Sequence, residues 1–593
     1  MSARWCSASR RRRRAGRSRP GPRCSGCYCS RRSWSCLASP FPRVSTGSSS
    51  APRRLSLADP ALMDALRAGA GGSADADVGP RPSDLTVRLG RAGDLPAVAA
   101  VLIGPYSMAL ATVVATDETA TPDGDLKVRY VFEPTAPGAP DRFVTLLISV
   151  DAAHPEVPSL TTAVPAANWH EREMQDLFGI VSVGHPDPRP LVVHDGWPQG
   201  VFPLRKAFDG SQRVPVEPAD EFPHLVAEGE GVFEIPVGPI HAGIIEPGHF
   251  RFTSVGETVL NLDARLFYTH RGLEKRMEGL SPLDAFYVAE RICGVCSVAH
   301  GLGYCEALEQ IADVTAPPRA RLIRSIALEL ERLYNHVGDV GNVCAGASFH
   351  YGTAAGMRLK ERLQQMNERL AGNRFLRGLV VPGGVRLDLS DDLLGVLAVT
   401  LQDTLAGLDS LMERIEANPS VVDRLDDTGI LQHQAALDLA VAGVAARASG
   451  VDRDARRDHP HGAFAGPEPL DLHVVIASEG DAMARVTVRA LEARESIRLV
   501  GELVRRLEPG PLQVALVEPL PGGRIGISAI ESARGEAVHW LRTDAAGRVE
   551  RYHLRSPSYH NWPAVVLAAE TAIVPDFPLV NKSFELCYSC TDR

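Results

Sequence analysis

Two cysteine pairs of identical spacing, far apart in the chain, constrain this sequence most. Cys293 and Cys296 form one C-x-x-C pair, Cys587 and Cys590 form the other, and residues 297–586 lie between them. Two thiolates three residues apart can chelate one soft metal ion. If both pairs hold the same metal, two distant elements must meet in the interior of one large domain. The spacing therefore predicts a large domain built around a buried metal or redox site.

The spacing alone does not identify the metal. Closed zinc sites usually take both pairs from one small module, with roughly 12–20 residues between them. The much longer separation here favours a redox-active metal such as nickel, iron or copper, and zinc remains the alternative. Cys305 and Cys344, which lie outside the two pairs, are predicted to be ordinary buried thiols.

Length and charge exclude several other classes of protein. The chain has 593 residues, of which 45% are hydrophobic and 23% are charged, so a few globular domains are expected. No run of about 18 uncharged apolar residues is present, and no membrane-spanning helix is predicted. The net charge is −9 although residues 1–58 contain arginine and no lysine or acidic residue. The remainder is therefore acidic, which argues against nucleic acid as the main partner.

The arginine-rich arm, residues 1–62, is predicted to be disordered or to lie upstream of a true start, for which Met63 is a candidate. The alternative function of the arm is RNA or membrane binding. It lacks the apolar core of a secretory signal. We therefore expect the cysteine pairs to lie in a reducing compartment, where they bind metal or do redox chemistry.

The sequence predicts an α+β protein with two domains. Residues 63–82 resemble a linker in composition, and residues 83–208 form a small α+β domain. Residues 209–233 are a polar connector, and residues 234–593 form a large, mostly helical domain. In the small domain we predict strands at Lys127–Glu133 and Arg142–Val150, and a helix at Trp169–Leu177. In the large domain, strands are predicted at Val259–Phe267, Val514–Val517, Glu536–Leu541 and Val549–Arg555, and long helices at Pro318–Val337, Met357–Leu370, Leu393–Ala417 and Asp481–Leu507.

A helix start precedes the first cysteine pair. Ser281 is a favoured N-cap, Pro282 suits the first helical position, and an acidic residue follows in the first turn. The pattern predicts one helix that carries Ala285 through His300. On that helix the side chains of Cys293, Cys296 and His300 would share one face.

Together these motifs resemble the large subunit of [NiFe] hydrogenases. The residues that carry the resemblance are Arg271-Gly272-Leu273-Glu274, then Arg291-x-Cys293-Gly294-Val295-Cys296 with His300, and then Cys587-x-x-Cys590. The final run Tyr588-Ser589-Cys590-Thr591-Asp592-Arg593 resembles group 4, the energy-converting, formate hydrogenlyase-type class.

The first domain carries a second resemblance. The run Trp169-His170-Glu171-Arg172-Glu173-Met174-Gln175-Asp176-Leu177-Phe178-Gly179-Ile180, continued by Gly184–Asp187 and Pro203–Lys206, resembles the 30-kDa subunit of respiratory complex I. Gly238-Pro239-Ile240-His241 and Tyr268–Gly272 resemble its 49-kDa subunit. Two alternatives to a hydrogenase therefore remain: a complex I-like NADH-quinone oxidoreductase subunit of C/D type, and a non-catalytic structural subunit. The retained cysteines favour the hydrogenase, because the quinone-binding relatives have lost them.

The hydrogenase resemblance implies a Ni-Fe centre on four thiolates. Cys293 and Cys587 would be terminal ligands of nickel, and Cys296 and Cys590 would bridge nickel and iron. Iron would also carry CO and cyanide, which maturation proteins install. A thiolate, with Cys587 as the candidate, would serve as the base when H2 is cleaved.

Further residues match positions around that centre. Glu246 matches a proton-gating glutamate, and its alternative role is a surface carboxylate at a Pro-Gly turn. Arg534 matches an arginine above the metals that orients substrate or polarises H2. Ser558 matches a hydroxyl that hydrogen-bonds a cyanide ligand. His300 is expected to donate to a cysteine sulfur.

At several positions this sequence departs from the family pattern. Glu274 matches a carboxylate that binds Mg²⁺ in relatives whose other side-chain ligand is a C-terminal histidine, but Arg593 stands there and cannot ligate a cation. We expect a Glu274–Arg593 ion pair in its place, and Mg²⁺ is the alternative. Glu585-Leu586 replaces the usual Asp-Pro, and Ala533 replaces a usual proline. Both changes bear on the catalytic rate more than on metal binding.

The remaining implications concern partners. No further C-x-x-C pair is available outside the arm, so the iron–sulfur clusters are expected on a partner small subunit. Membrane ion-translocating subunits would be further partners, and the chain would be peripheral on the cytoplasmic face of the cell membrane. Relatives often carry a C-terminal tail that is cleaved after metal insertion. The chain ends at Arg593, which implies maturation without cleavage or a tail that is not encoded.

Overall fold

The computed structural model describes residues 60–121, 124–211, 213–218, 224, 228–240, 246–466, 468–570 and 572–593. The predictions for residues 1–59 and the motif residue His241 lie outside the described residues. Among the described helices, none combines the length and the apolar character needed to cross a bilayer.

Helices and strands are mixed along the chain, which confirms the α+β fold class. The helices are α1 Pro60–Gly69, α2 Leu95–Ile103, α3 Asn168–Phe178, α4 Leu273–Met277, α5 Pro282–Ala289, α6 Ser297–Ala312, α7 Pro318–Gly346, α8 His350–Ala371, α9 Asp391–Glu416, α10 Pro419–Leu425, α11 His433–Asp438, α12 Gly443–Ala448, α13 Ala455–Asp458, α14 Ala482–Arg505, α15 Pro557–Ala569, α16 Phe577–Phe584 and α17 Tyr588–Asp592. The strands are β1 Ala74–Val78, β2 Leu85–Leu89, β3 Met108–Asp117, β4 Leu126–Pro134, β5 Val144–Val150, β6 Glu156–Pro158, β7 Val181–Val183, β8 Val232–Val237, β9 His249–Val255, β10 Thr258–Arg265, β11 Val380–Val381, β12 Gly384–Val385, β13 Ile525–Ser532, β14 Gly535–Thr543 and β15 Val549–Arg555.

The N-terminal region is built on one five-stranded sheet. The strand order is β1-β2-β5-β4-β3, and only the β2–β5 pair is parallel. Helix α3 packs against β3 and ends at Gly179, which has a φ of 69°. The left-handed conformation at that position suits a glycine and stops the helix. The strands and the helix predicted in this region are confirmed.

The prediction of a linker over residues 63–82 is wrong. Most of helix α1 and all of strand β1 lie there, and β1 pairs with β2 from Ala74↔Leu89 onward. Helix α1 begins at Pro60, so the prediction of a disordered arm is also wrong for residues 60–62. Leu62, Leu66 and Ala70 recur at helical spacing and are buried in the core. The small and acidic residues between them concealed this periodicity. The N-terminal region therefore begins earlier than the predicted residue 83.

Long helices dominate the C-terminal region, as predicted. Helix α7 packs against α6, α8, α14 and α16, and both of its faces are largely buried. The four predicted long helices correspond to α7, α8, α9 and α14. Strands β10, β14 and β15 also agree with the predictions. The strand predicted at Val514–Val517 is wrong. Gln513 makes a single bridge to Gly384, and Val517 is exposed, so no partner strand extends the pairing.

The two regions share a hydrophobic core. Leu146 and Phe178 from the first region belong to the same buried cluster as Phe250, Trp562 and Val580 from the second. Of the connector predicted at 209–233, the described part carries no helix or strand before Val232, where β8 begins. The remaining connector residues lie outside the described residues. The N-terminal sheet is thus packed directly on the region that holds the cysteines.

Candidate metal centre

The first cysteine pair lies in a break between two helices. Helix α5 ends at Ala289 and α6 begins at Ser297, so the predicted continuous helix from Ala285 to His300 is wrong. The N-cap prediction is confirmed, because Ser281 Oγ accepts from Asp284 N at 3.1 Å. Gly294, a poor helix former, is exposed in the break. Cys293 and Cys296 are therefore presented by a loop rather than by one helical face.

A buried glutamate from α7 caps the helix that follows this loop. Glu331 accepts hydrogen bonds from Val298 N at 2.7 Å and from Ala299 N at 2.9 Å. These bonds satisfy two backbone N–H groups that have no partner within α6. Burial raises the pKa of Glu331 to about 8. Sequence reasoning did not identify this residue. An acid near the middle of a long predicted helix was the only available signal.

The second cysteine pair is organised by a short helix. Cys587 is the N-cap of α17, and its sulfur accepts Cys590 N at 3.4 Å. Cys587 N donates to Ser558 Oγ at 2.9 Å. Ser558 therefore lies directly beside the second pair. Its hydroxyl oxygen accepts in this contact, so the contact does not use the hydroxyl hydrogen.

The two pairs meet. Cys293 Sγ lies 3.2 Å from Cys587 Sγ. The sulfurs of Cys293, Cys296 and Cys590 all lie within 4.8 Å of one another. These three residues are buried and Cys587 is half-buried, and none of the four forms a disulfide. Four unoxidised sulfur donors at one point fit a centre of soft metal ions.

The electrostatics of the four thiols are strongly coupled. Hydrogen bonds from Cys296, Cys587 and Cys590 lower the pKa of Cys293 well below its usual value. The bonds to Cys293 in turn raise the pKa values of the other three thiols. One sulfur is therefore stabilised as a thiolate by its neighbours. Binding a metal on all four sulfurs would release the remaining thiol protons.

His300 and Arg534 surround the cluster. His300 Nε2 lies 3.3 Å from Cys590 Sγ, at the predicted place. Arg534 donates to Glu585 O at 2.8 Å, to Asn335 Oδ1 at 3.1 Å and to Asp339 Oδ1 at 3.4 Å. Burial alone would lower the pKa of Arg534, but Asp339 and the nearby sulfurs raise it well above its usual value. The guanidinium is a fixed cation at the cluster. Sequence reasoning did not identify its two supports on α7.

Glu246 lies against the second pair. Ser589 Oγ donates a short hydrogen bond to Glu246 Oε1. Gly248 lies so close to Tyr588 that a Cβ there would be 3.0 Å from the aromatic ring. The Pro-Gly turn therefore packs on α17, and the carboxylate is half-buried beside it rather than isolated on the surface.

The predicted Glu274–Arg593 contact is present, with Arg593 Nη1 at 3.1 Å from Glu274 Oε1. Glu173, Glu274 and His553 could together offer ligands to a cation. However, Arg593 also contacts Glu173, and Arg551 Nη1 lies 2.7 Å from Glu274. Arg551, together with His553 and Arg593, outweighs the effect of burial and holds the pKa of Glu274 well below its usual value. Because two guanidinium groups already neutralise these carboxylates, the residues do not fit a Mg²⁺ site.

The departures from the family pattern lie beside the cluster. Glu585 ends α16 with a φ of 54°, a left-handed conformation. A proline at 586 would favour extended backbone at residue 585, and Leu586 imposes no such restriction. Burial raises the pKa of Glu585 to about 7. Ala533 is buried next to Arg534.

An arginine of the first motif joins the two cysteine segments. Arg271 Nη2 donates to Ile292 O at 2.8 Å and to Ser589 O at 2.9 Å. Sequence reasoning quoted this residue without assigning it a role. Its place in the Arg-Gly-Leu-Glu motif was the available signal.

Three family profiles match the chain. The profile described as "Respiratory-chain NADH dehydrogenase, 30 Kd subunit" matches residues 91–214. The profile "Respiratory-chain NADH dehydrogenase, 49 Kd subunit" matches residues 349–523 and 518–593. The profile "Nickel-dependent hydrogenase" matches residues 271–339, which include the first cysteine pair.

Individual relatives agree with these matches. Formate hydrogenlyase subunit 5 of Escherichia coli is 35% identical over 76% of this chain and 79% of its own length. Hydrogenase-4 component G of Escherichia coli is 34% identical over 84% of this chain and 86% of its own length. The C/D-type NADH-quinone oxidoreductase subunit of Bacteroides fragilis is 27% identical over 79% of this chain and 91% of its own length. With its four converging cysteines, the chain belongs to the family of group 4 [NiFe] hydrogenase large subunits, in the form fused to a complex I 30-kDa-like domain.

Proposed function

We propose that this chain is the catalytic large subunit of a membrane-associated [NiFe] hydrogenase that interconverts H2 with protons and electrons. One observation carries the proposal. Thiols from two segments, which residues 297–586 separate, meet in a buried cluster and form no disulfide. A structural subunit without a metal has no need of four such thiols at one point.

The four cysteines would bind different metals of the centre. Cys293 and Cys587 would bind nickel, and Cys296 and Cys590 would bridge to an iron that carries CO and cyanide. When bound, this centre supplies the electron-rich metals on which H2 is cleaved. His300 would donate to the Cys590 sulfur and reduce its charge, and Ser558 would direct its hydroxyl toward the iron ligands.

The proton leaves through this chain's own residues. Cys587 is the most exposed of the four thiols and would take the proton at its sulfur. Glu246 would receive the proton next, because its carboxylate is held against Ser589, two residues from Cys587. A half-buried carboxylate at this position can then release the proton to solvent.

Arg534 would orient the substrate beside the sulfurs. Its guanidinium is immobilised by Asn335 and Asp339, so its position needs no rearrangement during the reaction. A fixed donor of this kind polarises a bound molecule at low reorganisation cost.

We further propose that electrons pass to an iron–sulfur partner subunit and that the chain docks on membrane ion-translocating subunits from the cytoplasmic side. Maturation proteins would insert the metals. The similarity to a protein named "Membrane-bound hydrogenase subunit alpha" from Pyrococcus furiosus, 30% identical over 61% of this chain, supports this assembly. The similarity to the C/D-type relatives supports a complex I-like partner set.

One alternative has a specific observation in its favour. The C/D-type relatives match across both domains, which favours a quinone-linked subunit of the same architecture. The retained cluster argues against it, as does the arginine fixed beside the sulfurs.

The test is metal analysis with infrared spectroscopy on the complex purified anaerobically from its native host. The proposal expects nickel and iron in roughly equimolar amounts with the chain, together with CO and cyanide stretching bands. Zinc alone would overturn it, as would an assembled complex that has no such bands and responds to quinone-site inhibitors.

A further inference from the structure

We propose that Glu173, in the N-terminal domain, is a positioning residue for the metal centre and acts through Arg593. The N-terminal domain would then take part in shaping the site, in addition to any role in assembly. The effect on metal loading rests on the function proposed above. The contact and its local consequence do not.

The contact is direct and buried. Arg593 Nη2 lies 2.6 Å from Glu173 Oε2, and the two side chains are 3% and 7% exposed. The Arg593 guanidinium also stacks over the ring of Tyr559, at 4.6 Å from its centroid. Glu173 comes from α3, on the N-terminal sheet, whereas Arg593 directly follows α17.

Arg593 is rigidly connected to the second cysteine pair. Its backbone N donates to Ser589 O at 3.2 Å, and Arg271 N donates to Arg593 O at 2.8 Å. Ser556 Oγ donates to Cys590 O at 2.8 Å. A displacement of Arg593 would therefore move the helical turn that carries Cys590.

Glu173 is needed because the other carboxylate is shared. Glu274 accepts from Arg551, from Leu554 N and from Arg593, so its charge is divided between two guanidinium groups. Without Glu173, the only side-chain carboxylate among the described residues that is paired with the Arg593 guanidinium would be Glu274, which Arg551 also neutralises. A buried charge that is not fully neutralised destabilises the folded state. The segment that carries Arg593 would therefore shift to expose the guanidinium to water.

The position of Glu173 in the fold gives the contact a wider consequence. The helix α17 has five residues, too few for a helix to be stable by its own hydrogen bonds. Its place depends on contacts from elsewhere, and the Glu173 contact comes from another domain. Docking of the N-terminal domain and closure of the second cysteine pair are thereby coupled.

The experiment compares Glu173→Gln with wild type in the assembled complex. Hydrogen–deuterium exchange of the peptide covering residues 585–593 reports the local effect. We expect the exchange of these amides to become about tenfold faster, which corresponds to a loss of about 1.4 kcal/mol of local stability. Nickel content should fall in the same variant.

A matched control separates this contact from general domain docking. Glu133 is also a buried acid of the N-terminal domain that pairs across to the second region, with His459 at 3.0 Å and with Arg453. It does not contact residues 585–593. Glu133→Gln should therefore leave the exchange of that peptide unchanged.

One further variant keeps the inference testable if Glu173→Gln does not fold. Arg593→Gln removes the charge and both carboxylate contacts, and should also accelerate exchange at 585–593. Where Glu173→Gln folds, the double variant Glu173→Gln/Arg593→Gln should be no faster than Arg593→Gln alone, because both changes act on one interaction.

Additive effects in the double variant would overturn the inference. So would unchanged exchange at 585–593 in Glu173→Gln, or equal acceleration in Glu133→Gln. Absence of nickel from the wild-type complex would instead contradict the proposed function, and would leave the exchange result to be judged independently.

Discussion

The two cysteine pairs have the same spacing, yet the protein holds them in different ways. The first pair lies in a loop between α5 and α6, and Glu331 on the neighbouring α7 binds the backbone just after it. This support comes from the packed helical core, and Arg271 adds a hydrogen bond to Ile292 O. The second pair depends on contacts from several separate parts of the chain.

Asp592 shows the difference most directly. Its carboxylate accepts Phe267 N at 2.9 Å and Thr269 N at 3.0 Å, while Ser558 holds Cys587 and Glu173 holds Arg593. Local helix geometry cannot position so short a segment. The comparison teaches that one half of the centre is set by core packing. The other half is set by long-range charge and hydrogen bonds.

The largest expected effect falls on both pairs equally. Cys296→Ser and Cys590→Ser should each reduce nickel to background and abolish H2 activity, because a serine oxygen is a poor ligand for soft metals. Nickel analysis of the purified complex measures this. Cys344→Ser, at a buried thiol outside the cluster, should retain nickel. Retention of nickel by either cluster variant would show that the pairs do not share one centre.

Arg534→Lys tests the fixed cation beside both pairs. The ammonium cannot reproduce the three directed contacts of the guanidinium, and we expect roughly 100-fold lower H2 activity with nickel retained. H2-dependent dye reduction and nickel content are the measurements. Arg319→Lys, at a distant ion pair with Asp388, is the control. Equal activity in Arg534→Lys and wild type would remove Arg534 from the reaction.

His459 tests whether docking of the N-terminal domain depends on pH. The imidazole lies 2.7 Å from Asp141 and 3.0 Å from Glu133, with Arg81, Arg453 and Glu536 nearby. Burial alone would lower its pKa, but these acids raise it from 6.5 to about 10.

Because the folded pKa is raised, the stabilisation is complete below about pH 6.5 and is lost as pH rises toward 10. Between those pH values, the free energy of unfolding should fall by up to about 1.4 kcal/mol per pH unit. Thermal unfolding from pH 7 to 9 measures the slope, and His459→Asn should flatten it. Identical slopes would show that the imidazole is not held in its charged form.

Glu331→Gln perturbs the support of the first pair. An amide offers one acceptor oxygen where the carboxyl group offers two, so one N–H at the start of α6 loses its partner. Local stability of residues 293–300 should fall by about 1–3 kcal/mol, measured by hydrogen exchange. The exchange of residues 585–593 should change little. Glu361→Gln, at an exposed pair with Arg374, is the control. Equal destabilisation of both segments would contradict separate support of the two pairs.

Ser558→Ala is expected to have the smallest effect, and it acts on the second pair alone. Loss of the hydrogen bond to Cys587 N should lower the local stability of residues 585–593 by about 0.5–1.5 kcal/mol, with nickel retained. Hydrogen exchange of the same peptide measures it. Ser390→Ala, which removes the N-cap of α9, should affect only that helix. A change at residues 293–300 of equal size would show that the halves are not separable.

The long periodic elements were predictable because their signals are local. Helices α7, α8, α9 and α14 follow the apolar repeat, and Ser281 identifies the start of α5 by its own hydrogen bond. The predictions failed where the local signals in the sequence were weak. Small residues hid the helix within 63–82, and the loop at Cys293 was assigned to a helix, because the long-range contact of Glu331 is invisible in the sequence.

By itself the sequence determined the fold class, the family and the four cysteines, since these depend on residue types at fixed spacing. It also determined the Glu274–Arg593 pair, because an arginine cannot ligate a cation but can neutralise a carboxylate. Only the tertiary structure decided how the sulfurs meet, which acids support them, and that Glu173 reaches Arg593 from another domain. Those contacts join residues hundreds of positions apart, and only packing brings such residues within hydrogen-bond distance.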